Sequence, residues 1–384
     1  MTAYDVGIVG LGAMGSMTAL ELARRGQRVL GFDRFRPPHE LGSSHGKSRI
    51  IREAYFEHPQ YVPFVQRAYQ QWARLERESG RTLLIPTGGL MIGPPEGVLV
   101  PGARRSAEEH RLEYEVLSAG EVRRRFPAFT PADHEVGLLE PRAGVLLPES
   151  CIESALALAG EAGATLCFDE PVIGWNGAKS ITVTTARGSY EVGRLIVAAG
   201  AWMAGGLAQT PLPLTVARQT LFWFDPVGRR SVVEPGAMPI FLWEWAEGGR
   251  CFYGFPDLGD GVKVAIHHEG EPTTPDSVRR ETNAEEAERL RAIMASRTPA
   301  LNGTLRNAVV CLYTNTPDGD FLIDRSPNDR RVILASPCSG HGFKFAPAIA
   351  EVLADLALDR EPALDVSRFT LARFPAQPRA IISS

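Results

Sequence analysis

Lysine is scarce in this chain of 384 residues. Lys47, Lys179, Lys263 and Lys344 are its only lysines, against a total of 41 basic residues, and arginine makes up the rest. Drift in a GC-rich genome accounts for such a bias. A lysine that survives it can be one whose compact ammonium a planar guanidinium does not replace. Cysteine is sparse too. Cys151, Cys167, Cys251, Cys311 and Cys338 are odd in number and share no CxxC spacing, which argues against a disulfide framework or a zinc site and for a reducing, cytoplasmic setting. No apolar run approaches the ~18 residues of a membrane span, and the first residues lack the basic-then-apolar pattern of a secretory leader. A net charge of −4 offers no general attraction for nucleic acid or an anionic membrane, so the expected partners are small molecules and any anion site is local. Hydrophobic residues make up 44% of the chain, enough core for two domains on a prior of roughly 150 residues each.

What the chain does have begins with "YDVGIVG", a short β-branched run, followed by the glycine turn "LGAMG". "SMTALELARRGQ" has helical spacing and "RVLGFD" reads as a second strand, together a β-α-β unit of about thirty residues. Gly10, Gly12 and Gly15 form a GxGxxG between strand and helix, where glycines allow a tight turn and bring a pyrophosphate to the helix N-terminus. Asp33 closes the second strand roughly twenty residues on, placed to accept hydrogen bonds from ribose hydroxyls. This pattern predicts a bound dinucleotide without choosing between NAD and FAD.

Further along, the spacing predicts a helix over 61–78, a charged helical region over 105–128, and a helix then a strand in "CIESALALAGEAGATLCF". "GRLIVAAGAW" reads as a buried parallel-type strand. From 212 to 268, aromatic and β-branched runs such as "QTLFWF", "IFLWEW" and "RCFYGFP" alternate with turns, as in an antiparallel sheet. Asn283 is placed to cap an amphipathic helix. A strand, the turn "GHGF" and the apolar helix "APAIAEVLADLAL" follow. The expected fold is α/β (α+β, two-domain). A Rossmann-type domain takes residues 1–80, 145–210 and 305–384, and an antiparallel-sheet substrate domain takes 81–144 and 211–304.

Two stretches, "RFRPPHELGSSHGKSRIIREAYFEHPQYVPF" and "CLYTNTPDGDFLIDRSP … SPCSGHGFKFAPAIAEVLADLAL", resemble the monomeric sarcosine oxidase family, which includes N-methyltryptophan and pipecolate oxidases. The resemblance runs end to end and is weaker in "FYGFPDLGDGVKVAIHH". It implies a monomeric FAD enzyme of D-amino-acid-oxidase architecture. Such an enzyme oxidises the C–N bond of a secondary amino acid and passes the electrons to O2, giving peroxide. Residue by residue, it implies that Cys311 is bonded to the flavin 8α carbon and that Arg49 lies beside the ring. Arg52 and Lys344 would bind the substrate carboxylate, Lys263 would activate oxygen, and Tyr253 and His267 would line the substrate cavity. The implied FAD contacts are Gly10, Gly12, Gly15, Asp33, Arg34, His45, Ser48, Arg49 and Val172, with Cys311, Gly340, Gly342, Phe343 and Lys344 from the later segments. Ser44 stands where the family often has the first of two histidines, Ser48 replaces a threonine, and Cys338 adds a second thiol near the cofactor. "FLWEWAEGGR" aligns poorly, so the choice among sarcosine, a bulkier N-methyl amino acid and a cyclic imino acid stays open.

The residues carry part of this chemistry by themselves. A glycine turn running into a helix, with a cation at its start, supplies N–H donors and a positive dipole end for an anionic edge. A carboxylate calls for a bidentate arginine and a second cation. On the residues alone, however, Arg52 equally suits a surface ion pair with Glu53 or Glu57. Lys263 alternates with apolar neighbours, so the pattern leaves solvent and pocket faces both open. His267 and His268, adjacent in a predicted strand, are expected to face opposite sides and so not to share a metal. Trp223, Trp243 and Trp245 are expected in the core or pocket wall, with a cation–π role toward an N-methyl amine open. Cys311, between Val310 and Leu312, reads alone as a small buried hydrophobe. Two further readings stand beside the oxidase: an FAD dehydrogenase with another electron acceptor, and a non-catalytic flavoprotein.

Overall fold

The computed structural model describes residues 4–375. The opening apolar run forms the strand Tyr4–Val9, whose last four residues are buried, as a mid-sheet parallel strand requires. It pairs in parallel with Ser189–Val197 on one side and Val29–Phe32 on the other. Thr165–Cys167 and Val332–Ser336 continue the parallel pairing outward. Three antiparallel strands, Val172–Gly177, Ile181–Thr185 and Leu322–Arg325, complete an eight-stranded sheet. The helices Ala13–Arg24, Pro148–Glu161 and Ala346–Ala357 pack together against it, and Tyr61–Ser79 lies against the last of them. Ile8, Leu20, Ile152, Ile349 and Leu353 are fully or almost fully buried in their common core.

The aromatic runs build a second, nine-stranded sheet. Thr215–Phe224, Val262–Ile266, Arg250–Phe255 and Ile240–Ala246 are successive antiparallel neighbours. Ile240–Ala246 then runs parallel to Gly89–Gly93, the one parallel pair in this sheet. A small three-stranded sheet of Arg49–Ile51, Gly144–Leu146 and Leu84–Pro86 is also present. Asn283 caps the helix Ala284–Met294 in a capping box with Glu286, which satisfies two otherwise orphaned N–H groups.

Two expectations change. The charged stretch 105–128 is not one helical region. The helix Leu99–His110 stops at Arg111, whose φ is 54°, a strand Glu115–Ser118 intervenes, and a short helix Ala119–Arg125 starts from its own capping box. The boundary expected at 305 also moves. The strand Leu305–Asn315 is hydrogen-bonded along its length to Thr215–Phe224 and belongs to the second sheet. An apolar strand reads alike in either sheet, so its pattern carries no information on which one it joins. No helix among the described residues is long and apolar enough to cross a membrane. Nor do the described residues contain a group of three or more His, Cys, Asp or Glu able to hold a metal.

Candidate functional site

A cavity of about 590 Å³ is lined by the glycine turn of the first sheet and by side chains of the second. The glycines of the turn act for different reasons. Gly10 has φ +91°, and a Cβ there would lie 2.5 Å from the Ala198 carbonyl oxygen. A Cβ on Gly15 would lie 1.7 Å from the Gly10 carbonyl oxygen, so strand and helix meet only because it is absent. A Cβ on Gly12 would meet nothing nearer than Ser44 Oγ at 3.8 Å, and the residue caps the helix without a side chain, which leaves the first N–H groups open to an anion. Asp33 is buried, its carboxylate accepting from the Leu11 N–H at 2.7 Å and the Phe35 N–H at 2.9 Å. Burial raises its pKa despite both bonds. Arg34 is exposed and pairs with Asp276 at 2.7 Å, and the Trp202 indole N–H donates to the same oxygen at 3.0 Å. Val172 lines this end of the cavity.

At the other end, Cys311 is buried and is one of the residues lining the cavity. Arg49 Nη2 stands 3.7 Å from that sulfur and donates to the Ser43 carbonyl at 2.7 Å. Lys263 points inward, not to solvent. Its ammonium donates to the carbonyls of Gly46 at 2.7 Å and Ser48 at 2.9 Å, and to Ser48 Oγ at 3.0 Å. It lies over the Phe255 ring at 4.7 Å and the Trp223 ring at 5.4 Å. Burial, with Arg49 next, pushes its pKa well below the ordinary lysine value. Neither Lys263 nor His45 is on the lining; each sits just behind it. Burial, then Arg49 and Lys263, hold His45 down to about 3, and its Nε2 has no hydrogen-bond partner.

Arg52 and Lys344 are buried on the same cavity. Arg52 is held by Glu57 through Nη2 at 2.8 and 3.1 Å and stacks over Tyr55 at 4.2 Å. Lys344 donates to the His341 carbonyl at 2.8 Å and approaches the Tyr55 hydroxyl at 3.4 Å. Burial, with Arg52 second, lowers its pKa to about 7. The turn that presents it needs its glycines. A Cβ on Gly340, φ +76°, would meet the Tyr313 ring at 2.5 Å, and one on Gly342 would lie 1.7 Å from the Pro337 carbonyl oxygen. Phe343 is buried and stacks on Trp72 at 5.9 Å. Cys338 also lines the cavity, its thiol raised to about 11 by burial.

Tyr253 and His267 line the cavity and meet edge to face at 6.0 Å. The expectation that His267 and His268 face opposite sides is corrected, because the strand ends at Ile266 and His268 has φ 64°. Their rings therefore lie 4.0 Å apart, with His268 exposed. Of the three tryptophans considered, none lines the cavity; Trp202 does. Residues missed on sequence are Tyr55, His341 and Tyr313, and Glu57 is expected there only as an ion-pair partner for Arg52. Tyr313 was within reach, because it lies two positions along the strand from Cys311 and so shares its face.

The described residues fit FAD. They offer a Cβ-intolerant turn at an uncapped helix start and a buried acid one strand away. The buried hydroxyls of Ser43 and Thr314, both cavity-lining residues, have no partner within the protein and await a polar ligand. The fold and cavity define a dinucleotide-dependent oxidoreductase. Residues 5–356 match the DAO family of FAD dependent oxidoreductases, and the chain belongs to it. It is 41% identical over 380 residues to a monomeric sarcosine oxidase of Streptomyces avermitilis, covering 98% of this chain and 99% of the relative. It is 34% identical over 374 residues to an N-methyl-L-tryptophan oxidase of Yersinia pestis, covering 97% and 99%. Its fold is similar to that of NikD, an amino acid oxidase essential for nikkomycin biosynthesis, with TM-score 0.83 at 24% identity over 96% of this chain and 98% of that one.

Proposed function

We propose that the chain is a monomeric, cytoplasmic oxidase of secondary amino acids, carrying FAD covalently at Cys311 and using oxygen as electron acceptor. One observation carries the reading. Cys311 and Arg49 share a single cavity with two buried cations, Arg52 and Lys344, in a chain 41% identical to a sarcosine oxidase. When bound, FAD would supply the two-electron acceptor: the carbon beside the amine gives up a hydride equivalent and the nitrogen a proton, the C–N single bond becomes C=N, and the electrons go on with two protons to oxygen as peroxide.

The chain's own residues divide the remaining work. Gly10, Gly12, Gly15, Asp33, Arg34 and Val172 hold the nucleotide end, and His45, Ser48, Arg49, Gly340, Gly342 and Phe343 surround the ring end. Arg52 and Lys344 bind the substrate carboxylate. The Lys344 charge lowers the pKa of the substrate amine, so that it arrives unprotonated. Tyr253 and His267 bound the space for the rest of the substrate. Lys263, fixed by three oxygen contacts, supplies a preorganised positive charge where oxygen gains electrons. In this reading residues 1–80, 145–210 and those after 315 serve the nucleotide, and the second sheet serves the substrate.

The test is acid precipitation of the purified protein, followed by a peroxide assay against sarcosine, N-methyltryptophan, pipecolate and proline. A yellow pellet and peroxide with one of these are expected. A colourless pellet rejects covalent attachment. Peroxide from none of them, with no bleaching of the flavin under nitrogen, rejects the oxidase.

A further inference from the structure

We infer that Tyr55 and His341 are positioning residues that aim the Lys344 ammonium into the cavity through a hydrogen-bond chain of fixed polarity. The inference rests on reading Lys344 as a carboxylate-binding cation.

The polarity follows from which atoms are able to donate. The Gly319 carbonyl oxygen only accepts, so His341 Nε2, at 3.0 Å, carries the ring hydrogen. In a neutral imidazole Nδ1 is then a bare lone pair, and the Tyr55 hydroxyl donates to it at 2.7 Å. The hydroxyl hydrogen is committed to His341, which leaves the oxygen lone pairs for Lys344 Nζ at 3.4 Å. A second Nζ hydrogen goes to the His341 carbonyl at 2.8 Å. An ammonium has three, so one remains without a protein acceptor on a residue that lines the cavity.

The backbone is fixed separately. Trp72, from the helix Tyr61–Ser79, donates its indole N–H to the Lys344 carbonyl at 2.8 Å. Tyr55 also touches the other cation, since the Arg52 guanidinium lies over its ring at 4.2 Å. One side chain therefore registers Arg52 and Lys344 against each other. Its ring is held between Tyr61 at 4.9 Å and Phe345 at 5.2 Å.

The ionisable groups around the Lys344 ammonium are Arg52, Arg49, Glu57, His341 and His267, with Asp320 beyond, bonded to Tyr61 and Arg368. Burial holds His341 down to about 4, so the ring stays neutral and the chain keeps its direction across neutral pH.

The test uses the holoenzyme and propionate, a carboxylate with no amine to titrate. Its dissociation constant is read from the flavin absorbance between pH 6 and 9 for the wild type, Tyr55→Phe and Lys344→Met. Wild-type binding should weaken as pH rises and Lys344 loses its proton, and Lys344→Met should bind weakly and without that fall. Tyr55→Phe keeps the ring and removes the hydroxyl, and with it both the acceptor for Lys344 and the donor to His341 Nδ1. It should bind about tenfold more weakly at pH 8, the scale of one hydrogen bond to a charged group, with the fall moved to lower pH. A purely packing role leaves the midpoint unmoved, so an unchanged midpoint with affinity within twofold overturns the inference. Loss of the pH dependence in the wild type, or its persistence in Lys344→Met, rejects the carboxylate-site reading and the inference with it. Nitrogen NMR of His341 in the wild type is an independent check. The Nε2–H tautomer is expected, and an Nδ1–H tautomer overturns the polarity whatever propionate does.

Discussion

Lys263→Met removes a buried charge while keeping an unbranched side chain one atom shorter. The ammonium serves the carbonyls of Gly46 and Ser48 and the Ser48 hydroxyl, all within 3.0 Å, and sits over Phe255 and Trp223. Methionine keeps the apolar contacts and removes three hydrogen bonds at ~1–1.5 kcal/mol each, but orphans neither carbonyl, since Gly46 still accepts from the Ser48 N–H and Ser48 from Arg49 Nη1. The ammonium's own desolvation cost is recovered in part, for a net destabilisation of about 2–3 kcal/mol, and the enzyme should stay folded with its flavin. Rapid-mixing absorbance then separates the two halves of turnover. Reduction of the flavin by substrate should stay within about fivefold, because the charge is not made for that step. Reoxidation by oxygen should slow by ~10²–10³, the loss typical of one preorganised electrostatic group. If reduction falls as much as reoxidation, Lys263 merely braces the 43–48 loop that holds Arg49, and the electrostatic argument is wrong.

Cys311→Ser should release the yellow colour on acid precipitation and Cys338→Ser should retain it; the reverse result places the anchor on the wrong thiol. Gly342→Ala forces a methyl onto the Pro337 carbonyl, 1.7 Å away. Backbone cannot rotate aside, so a loss of more than ~3 kcal/mol is expected, read as a lower melting temperature and a lower flavin-to-protein ratio. Full flavin loading with an unchanged melt would refute it. Glu140 accepts from the N–H groups of Glu53 and Ala54, next to Arg52, yet burial raises its pKa from 4.5 to about 7. A raised folded-state pKa gives stability that is present below 4.5 and lost as pH rises through about 7. Glu140→Gln should flatten the pH dependence of urea unfolding in that window, and an unchanged slope would count against a protonated Glu140.

Legibility in the sequence followed the range of the interaction. The glycine turn, the acid after it and the Asn283 cap were readable because each is closed by neighbours within one β-α-β unit or one helical turn. The membership of Leu305–Asn315 was not, since its partner strand lies some ninety residues upstream and any apolar strand satisfies the same pattern. His267 and His268 misled for a related reason: alternation holds only inside a strand, and this one ends at Ile266. Lys263 was undecided on pattern because its face depends on what lies over the sheet, which here is the 43–48 segment.

Arg52 is the residue for which the alternatives proved not to be exclusive. The residues alone offered a surface ion pair with Glu53 or Glu57, and the family resemblance offered a substrate carboxylate. The pair forms with Glu57, on the cavity, with Arg52 buried and Glu57 half-buried. Burial opposes ionisation of Glu57, yet Arg52 and His341 outweigh it and hold its carboxyl below the ordinary value. Arg52 is therefore already neutralised by an internal carboxylate, and an incoming carboxylate exchanges or shares that partner. If the site takes a carboxylate as proposed, net attraction falls to Lys344, the cation whose charge is itself poised near neutrality. On the proposed reading the arginine, its charge met by Glu57, supplies geometry, and the lysine supplies the charge that recruits an anion. That division of labour explains why the groups fixing the Lys344 head, Tyr55 and His341, matter as much as the cation they hold.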